Sequence, residues 1–281
     1  MTVLVFGANG QVGRALALMP GVLALSRAEA DLERPGACAD AIGRHDITAV
    51  INAAAYTAVD TAETDRARAE RINGAAPGEM ADAAAQKGLP LIHISTDYVF
   101  DGDGTEPFSP DSPIAPLNAY GVSKAMGEQA VRGAGGVHGI LRTSWVFSGQ
   151  GANFVTTMLR LSQTRDHLNV VADQTGGPTP ALAIAKACMV MAETLENRPE
   201  HSGTYHFSGA PDVTWHDFAT EIFTQAKRPV AVTPIPTSAY PTPARRPLNS
   251  RLDCTTTLAV FGIVRPDWRA ALTDILKDSS T

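Results

Sequence analysis

Three side chains in this sequence carry the chemistry needed to reduce a carbonyl group: the hydroxyl of Thr96, the phenol of Tyr120 and the ammonium of Lys124. A hydride that reaches a carbonyl carbon leaves negative charge on the oxygen, so a hydrogen-bond donor and a proton donor beside that oxygen lower the barrier. Threonine and tyrosine can fill these roles. An unperturbed tyrosine has a pKa of about 10, and a nearby ammonium lowers it. Lys124 is the candidate for that task.

Tyr120 and Lys124 lie four residues apart in the stretch Asn118-Ala-Tyr-Gly-Val-Ser-Lys. If residues 118–131 form a helix, both side chains lie on one face, one turn apart. Tyr-x-x-x-Lys alone is weak evidence, because a surface tyrosine and a solvated lysine recur at this spacing by chance. The interpretation therefore depends on finding a site for a hydride donor elsewhere in the chain.

The arrangement of apolar segments predicts the fold that positions these residues. Short Val/Ile/Leu runs alternate with longer helical patterns, which is the βαβ order of a parallel sheet covered on both faces. The predicted strands span residues 3–6, 21–25, 49–53, 89–95 and 136–141. We predict an α/β fold, with a doubly wound parallel sheet (Rossmann) over residues 1–143, completed by a helix near 181–195, and a smaller C-terminal substrate-binding lobe over 144–281.

The C-terminal half has a looser pattern. Residues 181–195 and 215–226 are predicted to be helical, whereas the proline-rich segment 228–247 is too interrupted for regular structure. We expect that segment to be an ordered loop beside a site.

A glycine-spaced turn follows the first predicted strand and opens a helix. Its spacing is Gly-x-x-Gly-x-x-Gly rather than Gly-x-Gly-x-x-Gly. Glycines let the backbone turn sharply and approach a pyrophosphate, which backbone amides and the helix N-terminus can hold. A tight turn without a ligand is the alternative, but the position favours a dinucleotide. The predicted contacts are Gly7, Asn9, Gly10, Gln11, Val12 and Gly13.

The end of the second predicted strand bears on the choice of cofactor. Leu25-Ser-Arg27 offers no carboxylate for the ribose hydroxyls of NADH, and it provides an arginine that could pair with the 2′-phosphate of NADPH. We therefore favour NADPH, with NADH as the alternative. The remaining predicted cofactor contacts are Asp31, Leu32, Ala53, Ala54 and Ala55.

Composition argues against several other classes of protein. The formal charge is −6 and no Lys/Arg run stands out, so nucleic acid and anionic membranes are not expected partners. No apolar run reaches a membrane-spanning length. Three scattered cysteines indicate reduced thiols in a cytoplasmic protein. We expect a small-molecule partner and either a monomer or a homodimer.

No metal site is predicted. The segment 101–106 superficially resembles a calcium loop, but Thr105, Glu106 and Ser112 break the EF-hand pattern. The histidines show no zinc-ligand spacing. His93, inside an apolar strand, is interpreted as a core residue rather than a catalyst.

Several longer motifs carry a family resemblance that covers nearly the whole chain. They are the Gly7–Gly13 turn and the stretches at residues 52–60, 95–102, 120–128, 142–145 and 245–250, which read NAAAYTAVD, STDYVFDG, YGVSKAMGE, RTSW and RRPLNS. In this order the motifs resemble the extended short-chain dehydrogenases/reductases and, more narrowly, the dTDP-4-dehydrorhamnose reductase family.

The resemblance implies hydride transfer from NADPH or NADH to the C4 ketone of a dTDP-linked 6-deoxy-hexulose. It implies that Thr96 binds the ketone oxygen, Tyr120 donates the proton, and Lys124 binds the nicotinamide ribose while lowering the tyrosine pKa. The other implied substrate contacts are Thr57, Val59, Asp97, Trp145, Asn153 and Arg246. For Trp145, a place in the core is an equally good interpretation.

Two alternatives to this reductase remain at the level of sequence. One is another nucleotide-sugar reductase or epimerase of the extended family. The other is a non-catalytic regulatory subunit related to the family, although such a protein has no need to retain Thr96, Tyr120 and Lys124.

Overall fold

The computed structural model describes residues 1–278 and has a six-stranded parallel sheet at its centre. The strands lie in the order β10-β5-β4-β3-β1-β2. All five neighbouring pairs are parallel. The six strands are β1 (Val3–Phe6), β2 (Val22–Leu25), β3 (Ala49–Asn52), β4 (Leu91–Thr96), β5 (His138–Thr143) and β10 (Gly203–His206). The predicted doubly wound α/β fold is confirmed.

Helices cover both faces of this sheet because each contributes an apolar stripe to one of two cores. One core joins α1, α8 and α10 to the sheet, and the other joins α2, α5 and α6. The helices are α1 (Gln11–Ala17), α2 (Ala37–Arg44), α3 (Val59–Ala62), α4 (Arg66–Glu70), α5 (Ala76–Gln86), α6 (Ala119–Gly133), α7 (Phe154–Leu161), α8 (Ala181–Asn197), α9 (Trp215–Gln225), α10 (Thr255–Phe261) and α11 (Trp268–Asp278).

β10 is the strand of the C-terminal half that joins the central sheet. The other strands of that half form three small sheets, ordered β11-β8-β13, β12-β7 and β6-β9. Their bounds are β6 (Val146–Phe147), β7 (His167–Val171), β8 (Thr175–Gly176), β9 (Thr179–Pro180), β11 (Val213–Thr214), β12 (Ala231–Ile235) and β13 (Asn249–Ser250). A third apolar core, which includes Phe147, Phe218 and Trp268, lies beneath them.

Two strands differ from the sequence interpretation. Residues 228–247 were expected to lack regular structure, but β12 lies within them and pairs in parallel with β7. A proline is tolerated there because β12 is an edge strand, where a missing N–H costs little. β10, which lies beyond residue 143, pairs with β5 at the edge of the central sheet.

Two further features of residues 1–278 concern membrane-spanning helices and cysteines. No helix within residues 1–278 is both long and apolar enough to cross a membrane. All three cysteines are buried and unpaired.

Candidate functional site

A cleft of about 880 Å³ opens where the carboxyl ends of the central strands meet the C-terminal half of the chain. Ligands of open parallel sheets bind at this edge, where strand order reverses. The predicted catalytic residues and most predicted binding residues line it. They are Gly7, Asn9, Gly10, Gln11, Val12, Arg27, Asp31, Leu32, Ala53, Ala54, Ala55, Thr57, Val59, Thr96, Asp97, Tyr120, Lys124 and Trp145.

The glycine turn forms one end of the cleft, and two of its glycines are required by close packing. Gly7 has a φ of +95°, and a Cβ there would lie 2.7 Å from the Ala54 nitrogen. A Cβ on Gly13 would lie 1.9 Å from the Gly7 carbonyl oxygen, so Gly13 serves the turn without lining the cleft. Gly10 begins α1 with no side-chain cap, which leaves its first backbone amides open toward the cleft.

Charged side chains gather near the turn, at the end of β2. The Arg27 guanidinium lies 3.4 Å from the Asp31 carboxylate and also bonds Glu33. Arg68 donates to the same Glu33 oxygen at 2.7 Å. The stretch Leu25–Arg27 contains no carboxylate, but the fold brings the predicted contact Asp31 and the unpredicted Glu33 beside Arg27. This wall therefore offers acceptors for ribose hydroxyls as well as cations for a phosphate.

Tyr120 and Thr96 meet at the other end of the cleft. Asn118 caps α6 by accepting from the Gly121 N–H at 2.8 Å, which puts Tyr120 in the first turn of the helix. A Cβ on Gly121 would lie 2.2 Å from the Tyr98 carbonyl oxygen, so glycine allows α6 to approach the end of β4. The Tyr98 and Tyr120 rings pack edge to face, with centroids 5.6 Å apart.

Lys124 is buried one turn further along α6, with only 2% of its surface exposed. Its ammonium donates to the Ile94 carbonyl at 2.7 Å and lies 3.4 Å from Nε2 of His93. Burial lowers the pKa of Lys124 to about 8, against the attraction of Glu128. His93 is therefore buried in the core, as predicted, and it also contacts the lysine of the cleft.

The tyrosine differs from expectation in its acidity. Burial raises the pKa of Tyr120 well above its ordinary value, although the Thr96 hydroxyl acts in the opposite direction. Among the hydrogen bonds of residues 1–278, none joins the phenol to Lys124, whose ammonium is held by Ile94 instead. The predicted lowering of the pKa by Lys124 is therefore wrong for this structure, and the phenol stays protonated at neutral pH.

Two buried oxygens around this end of the cleft have no hydrogen-bond partner within residues 1–278: Oδ2 of Asp97 and Oγ1 of Thr143. Thr143 pairs with Thr96 in the register of β4 and β5. Burial raises the pKa of Asp97 to about 6, although the nearby Ser250 and Thr96 hydroxyls act in the opposite direction. Because buried polar atoms ordinarily have partners, these two mark places where a polar ligand would be held.

An aromatic wall closes the C-terminal side. Trp145 and Trp215 are stacked with ring centroids 3.5 Å apart, and Phe154 packs against Trp215 at 4.5 Å. Trp145 has a φ of +48°, a conformation that is costly for a bulky residue and is common at functional sites. Both tryptophans line the cleft.

Two predicted substrate contacts lie elsewhere. The Arg246 guanidinium makes a two-pronged ion pair with Asp60, at 2.9 and 2.8 Å. Asn153 caps α7 and donates to the Ser148 carbonyl. Neither side chain lines the cleft in this structure.

The sequence analysis missed several residues that line the cleft. The aromatic and charged members are Arg14, Glu33, Tyr56, Arg68, Tyr98 and Trp215. Trp215 gave no local signal, because its partner Trp145 is 70 positions away. Tyr98 lies two residues after Thr96 in the motif Ser-Thr-Asp-Tyr, and this closeness could have identified it as a residue of the cleft. No group of three or more candidate metal ligands occurs in the part of the chain that the structure describes.

Similarity to known proteins extends over the whole chain. The family model for the RmlD substrate binding domain matches residues 1–281. The chain is 45% identical to dTDP-4-dehydrorhamnose reductase of Burkholderia thailandensis, with 99% of each chain covered. It is 39% identical to the Escherichia coli enzyme of that name, covering 100% of this chain and 99% of the relative.

Solved structures agree. A dTDP-4-dehydrorhamnose reductase from Bacillus anthracis in complex with NADP has a TM-score of 0.91 and 35% identity, with 99% of this chain and 100% of that chain covered. A reductase of the same name from Clostridium acetobutylicum gives 0.92 and 34%, with both chains fully covered. A UDP-glucose 4-epimerase, at 0.81 and 12%, shares the fold alone, with 98% and 96% covered. The chain therefore belongs to the RmlD substrate-binding-domain family, alongside the dTDP-4-dehydrorhamnose reductases.

Proposed function

We propose that this protein reduces dTDP-4-dehydro-β-L-rhamnose to dTDP-β-L-rhamnose by hydride transfer from NADPH to the C4 ketone. The observation that carries the proposal is the meeting of Thr96, Tyr120 and Lys124 in one cleft with the glycine turn. The names of the similar reductases support the substrate.

The residues divide the work of the reaction. The nicotinamide cofactor supplies the hydride when it is bound. Thr96 holds the ketone oxygen, and Tyr120 gives that oxygen a proton as negative charge develops on it. The raised pKa of Tyr120 suits this direction of reaction, because it keeps the phenol protonated until the charge appears. Lys124 holds the cofactor ribose beside them.

The cofactor is proposed to be NADPH, with NADH as a possible substitute. The Bacillus anthracis relative was solved with NADP, which supports this choice. The preference for NADPH over NADH need not be strict, because both cations and carboxylates surround this part of the cleft. Arg27 and Arg68 suit a 2′-phosphate, whereas Asp31 and Glu33 can accept from ribose hydroxyls.

The substrate sugar is proposed to lie between Asp97 and the aromatic wall. Oδ2 of Asp97 can accept from a sugar hydroxyl, while the stacked Trp145 and Trp215 rings offer apolar surface to the sugar. Thr57 and Val59 line the same stretch of cleft. In this proposal residues 1–143 form the dinucleotide-binding domain, which α8 completes, and residues 144–281 form the substrate-binding lobe.

The proposed setting is the cytoplasm, where a nucleotide sugar and reduced cofactor are available. The three buried, unpaired cysteines fit a reducing compartment. The protein is proposed to act as a monomer or a homodimer on a small dTDP-linked substrate, without nucleic acid or membrane as partner.

The test is consumption of NADPH, followed by absorbance at 340 nm, with the keto-sugar nucleotide as substrate. The dTDP-linked sugar should be turned over, and dTDP should compete better than UDP or GDP. Tyr120→Phe should bind NADPH normally but lose about 10²–10⁴-fold in turnover. Tyr205→Phe is the matched control, since that hydroxyl donates to the His201 carbonyl outside the cleft. Near-normal turnover by Tyr120→Phe would remove the tyrosine from the mechanism.

A further inference from the structure

His93 lies in the middle of β4, fully buried between β3 and α6. Its Nδ1 is 3.1 Å from the side-chain amide nitrogen of Asn52, and its Nε2 is 3.4 Å from the ammonium nitrogen of Lys124. The histidine therefore connects the end of β3 with the lysine of the catalytic cleft.

Asn52 determines which imidazole nitrogen carries the proton. Oδ1 of Asn52 accepts from the Ala54 N–H at 3.1 Å, so turning the amide around would set its NH₂ against that backbone donor. Nδ2 of Asn52 must then donate to Nδ1 of His93. Because a neutral imidazole has one N–H and one acceptor, His93 carries its hydrogen on Nε2.

This tautomer points an N–H at Lys124. A lysine ammonium has three donors and no acceptor, so it cannot receive that hydrogen bond. A neutral amine has a lone pair that can accept from Nε2–H while one of its own hydrogens goes to the Ile94 carbonyl. The contacts of His93 are thus fully satisfied only when Lys124 is uncharged.

We propose that His93 is a positioning residue for the reduction, which uses the Nε2–H imposed by Asn52 to favour the amine form of Lys124. This inference rests on the proposed role of Lys124 beside the cofactor ribose. It makes the charge of the lysine adjustable near neutral pH, rather than fixed as it would be in an ordinary ion pair.

The surrounding charges are compatible with such an adjustable lysine. On α6, Tyr120 lies on one side of Lys124 along the helix, and Glu128 and Arg132 lie on the other. Glu128 attracts the ammonium, but its oxygens already accept from Arg142 and Arg132. Burial and the charges of Lys124 and Arg132 hold the pKa of His93 well below its usual value, so the imidazole stays neutral.

The consequence is a change in activity on the alkaline side. Loss of the lysine charge near pH 8 weakens the hold on the cofactor, so kcat/KM falls above that pH. Replacing the Nε2–H by a hydrogen-bond acceptor would stabilise the ammonium and move this alkaline fall of kcat/KM, the alkaline limb of the pH profile, to higher pH.

Nitrogen NMR of the ¹⁵N-histidine-labelled protein tests the tautomer directly and needs no turnover. We expect the signals of His93, assigned by their loss in His93→Gln, to show a neutral ring protonated at Nε2 from pH 6 to 9. A ring protonated at Nδ1, or one that becomes doubly protonated above pH 6, would overturn the inference. Neither result bears on whether the protein is a reductase.

The pH profile provides the second test. In the variant His93→Gln the new side chain can turn its carbonyl oxygen to the lysine, so the alkaline limb of kcat/KM should move up by one pH unit or more. His206→Gln is the matched control: His206 is equally buried but contacts Phe108 and Arg142, and its limb should match the wild type. An unchanged limb in His93→Gln would contradict the proposal even if the reductase assay succeeds.

Discussion

Two buried charges lie one turn apart on α6 and have opposite surroundings. Glu128 accepts from Ser95 and Arg132 and makes a two-pronged pair with Arg142. Within residues 1–278, the polar contacts of the Lys124 ammonium are with a carbonyl and an imidazole. Burial by itself raises the pKa of Glu128, but Arg142, Ser95 and Arg132 together outweigh it, and the pKa lies below its usual value. For Lys124, burial prevails.

The difference separates structure from chemistry. The Glu128 cluster joins α6 to β4 and β5 by pairing the buried carboxylate with two guanidinium groups, so it fixes the helix that carries Tyr120. Lys124 has no full counter-charge within residues 1–278 and faces the cleft, which leaves its charge responsive to what binds there. Perturbed groups of the second kind are characteristic of functional sites.

Breaking the matched cluster should have the largest effect on stability. Arg142→Met leaves the buried Glu128 carboxylate with Ser95 and the half-exposed Arg132, and the loss of a buried charged partner costs about 3–5 kcal/mol of unfolding free energy. Urea unfolding measures it. The double variant Arg142→Met/Glu128→Leu should recover most of the loss, and a single-variant loss below about 1 kcal/mol would contradict the structural role.

Lys124→Met should impair turnover rather than stability. Turnover should fall by about 10²–10³-fold, as for loss of one preorganised electrostatic contact, while the unfolding free energy stays the same or rises. The pH dependence of stability provides a second check. Between pH 8 and 10.5 Lys124 carries its proton in the unfolded wild type but not in the folded one. The unfolding free energy of the wild type should therefore rise with pH relative to that of Lys124→Met. A clear destabilisation by Lys124→Met at pH 7 would contradict the comparison.

Asp97 is a further buried carboxyl, with hydroxyl groups rather than a cation beside it, and the effect of replacing it should be smaller. In the wild type, kcat/KM should fall as the pH drops below 6, because protonation removes the acceptor for the sugar hydroxyl. Asp97→Asn should lose this acid limb and bind the sugar about 10-fold more weakly at neutral pH, as expected for loss of one charged hydrogen bond. An acid limb that persists in Asp97→Asn would assign it to another group.

The exposed pair Asp60–Arg246 should matter least. Their side chains are 40% and 20% exposed, and solvent screening limits such pairs to about 0–1 kcal/mol. Asp60→Asn should therefore change urea unfolding by less than about 1 kcal/mol, mainly at low salt. A larger loss would show that this contact between α3 and the proline-rich segment holds the cleft wall in place.

The local patterns of the sequence predict the framework of the site. The apolar runs of β1 to β5 and the helix that carries Tyr120 are visible because their signals repeat over short distances. β12 escaped because Pro234 resembles a break, although an edge strand accepts it. β10 reads Gly-Thr-Tyr-His and lacks the apolar run of β1 to β3, so only its pairing with β5 makes it a strand.

The chemistry of the site depended on contacts between distant segments. An arginine fork suits a carboxylate as well as a phosphate, so nothing in the sequence indicated that Arg246 pairs with Asp60 in this structure. His93 is a core residue by pattern, yet its contact with Lys124 joins β4 to α6. The raised pKa of Tyr120 arises from burial, which local spacing does not reveal.

The destination of the hydride tests the central claim most directly. NADPH deuterated at both C4 positions of the nicotinamide should transfer one deuterium to C4 of the sugar in dTDP-β-L-rhamnose, detected by NMR and mass spectrometry of the product. Oxidation of the cofactor without label at C4, or an epimerised sugar with no net oxidation of NADPH, would contradict the proposed reduction.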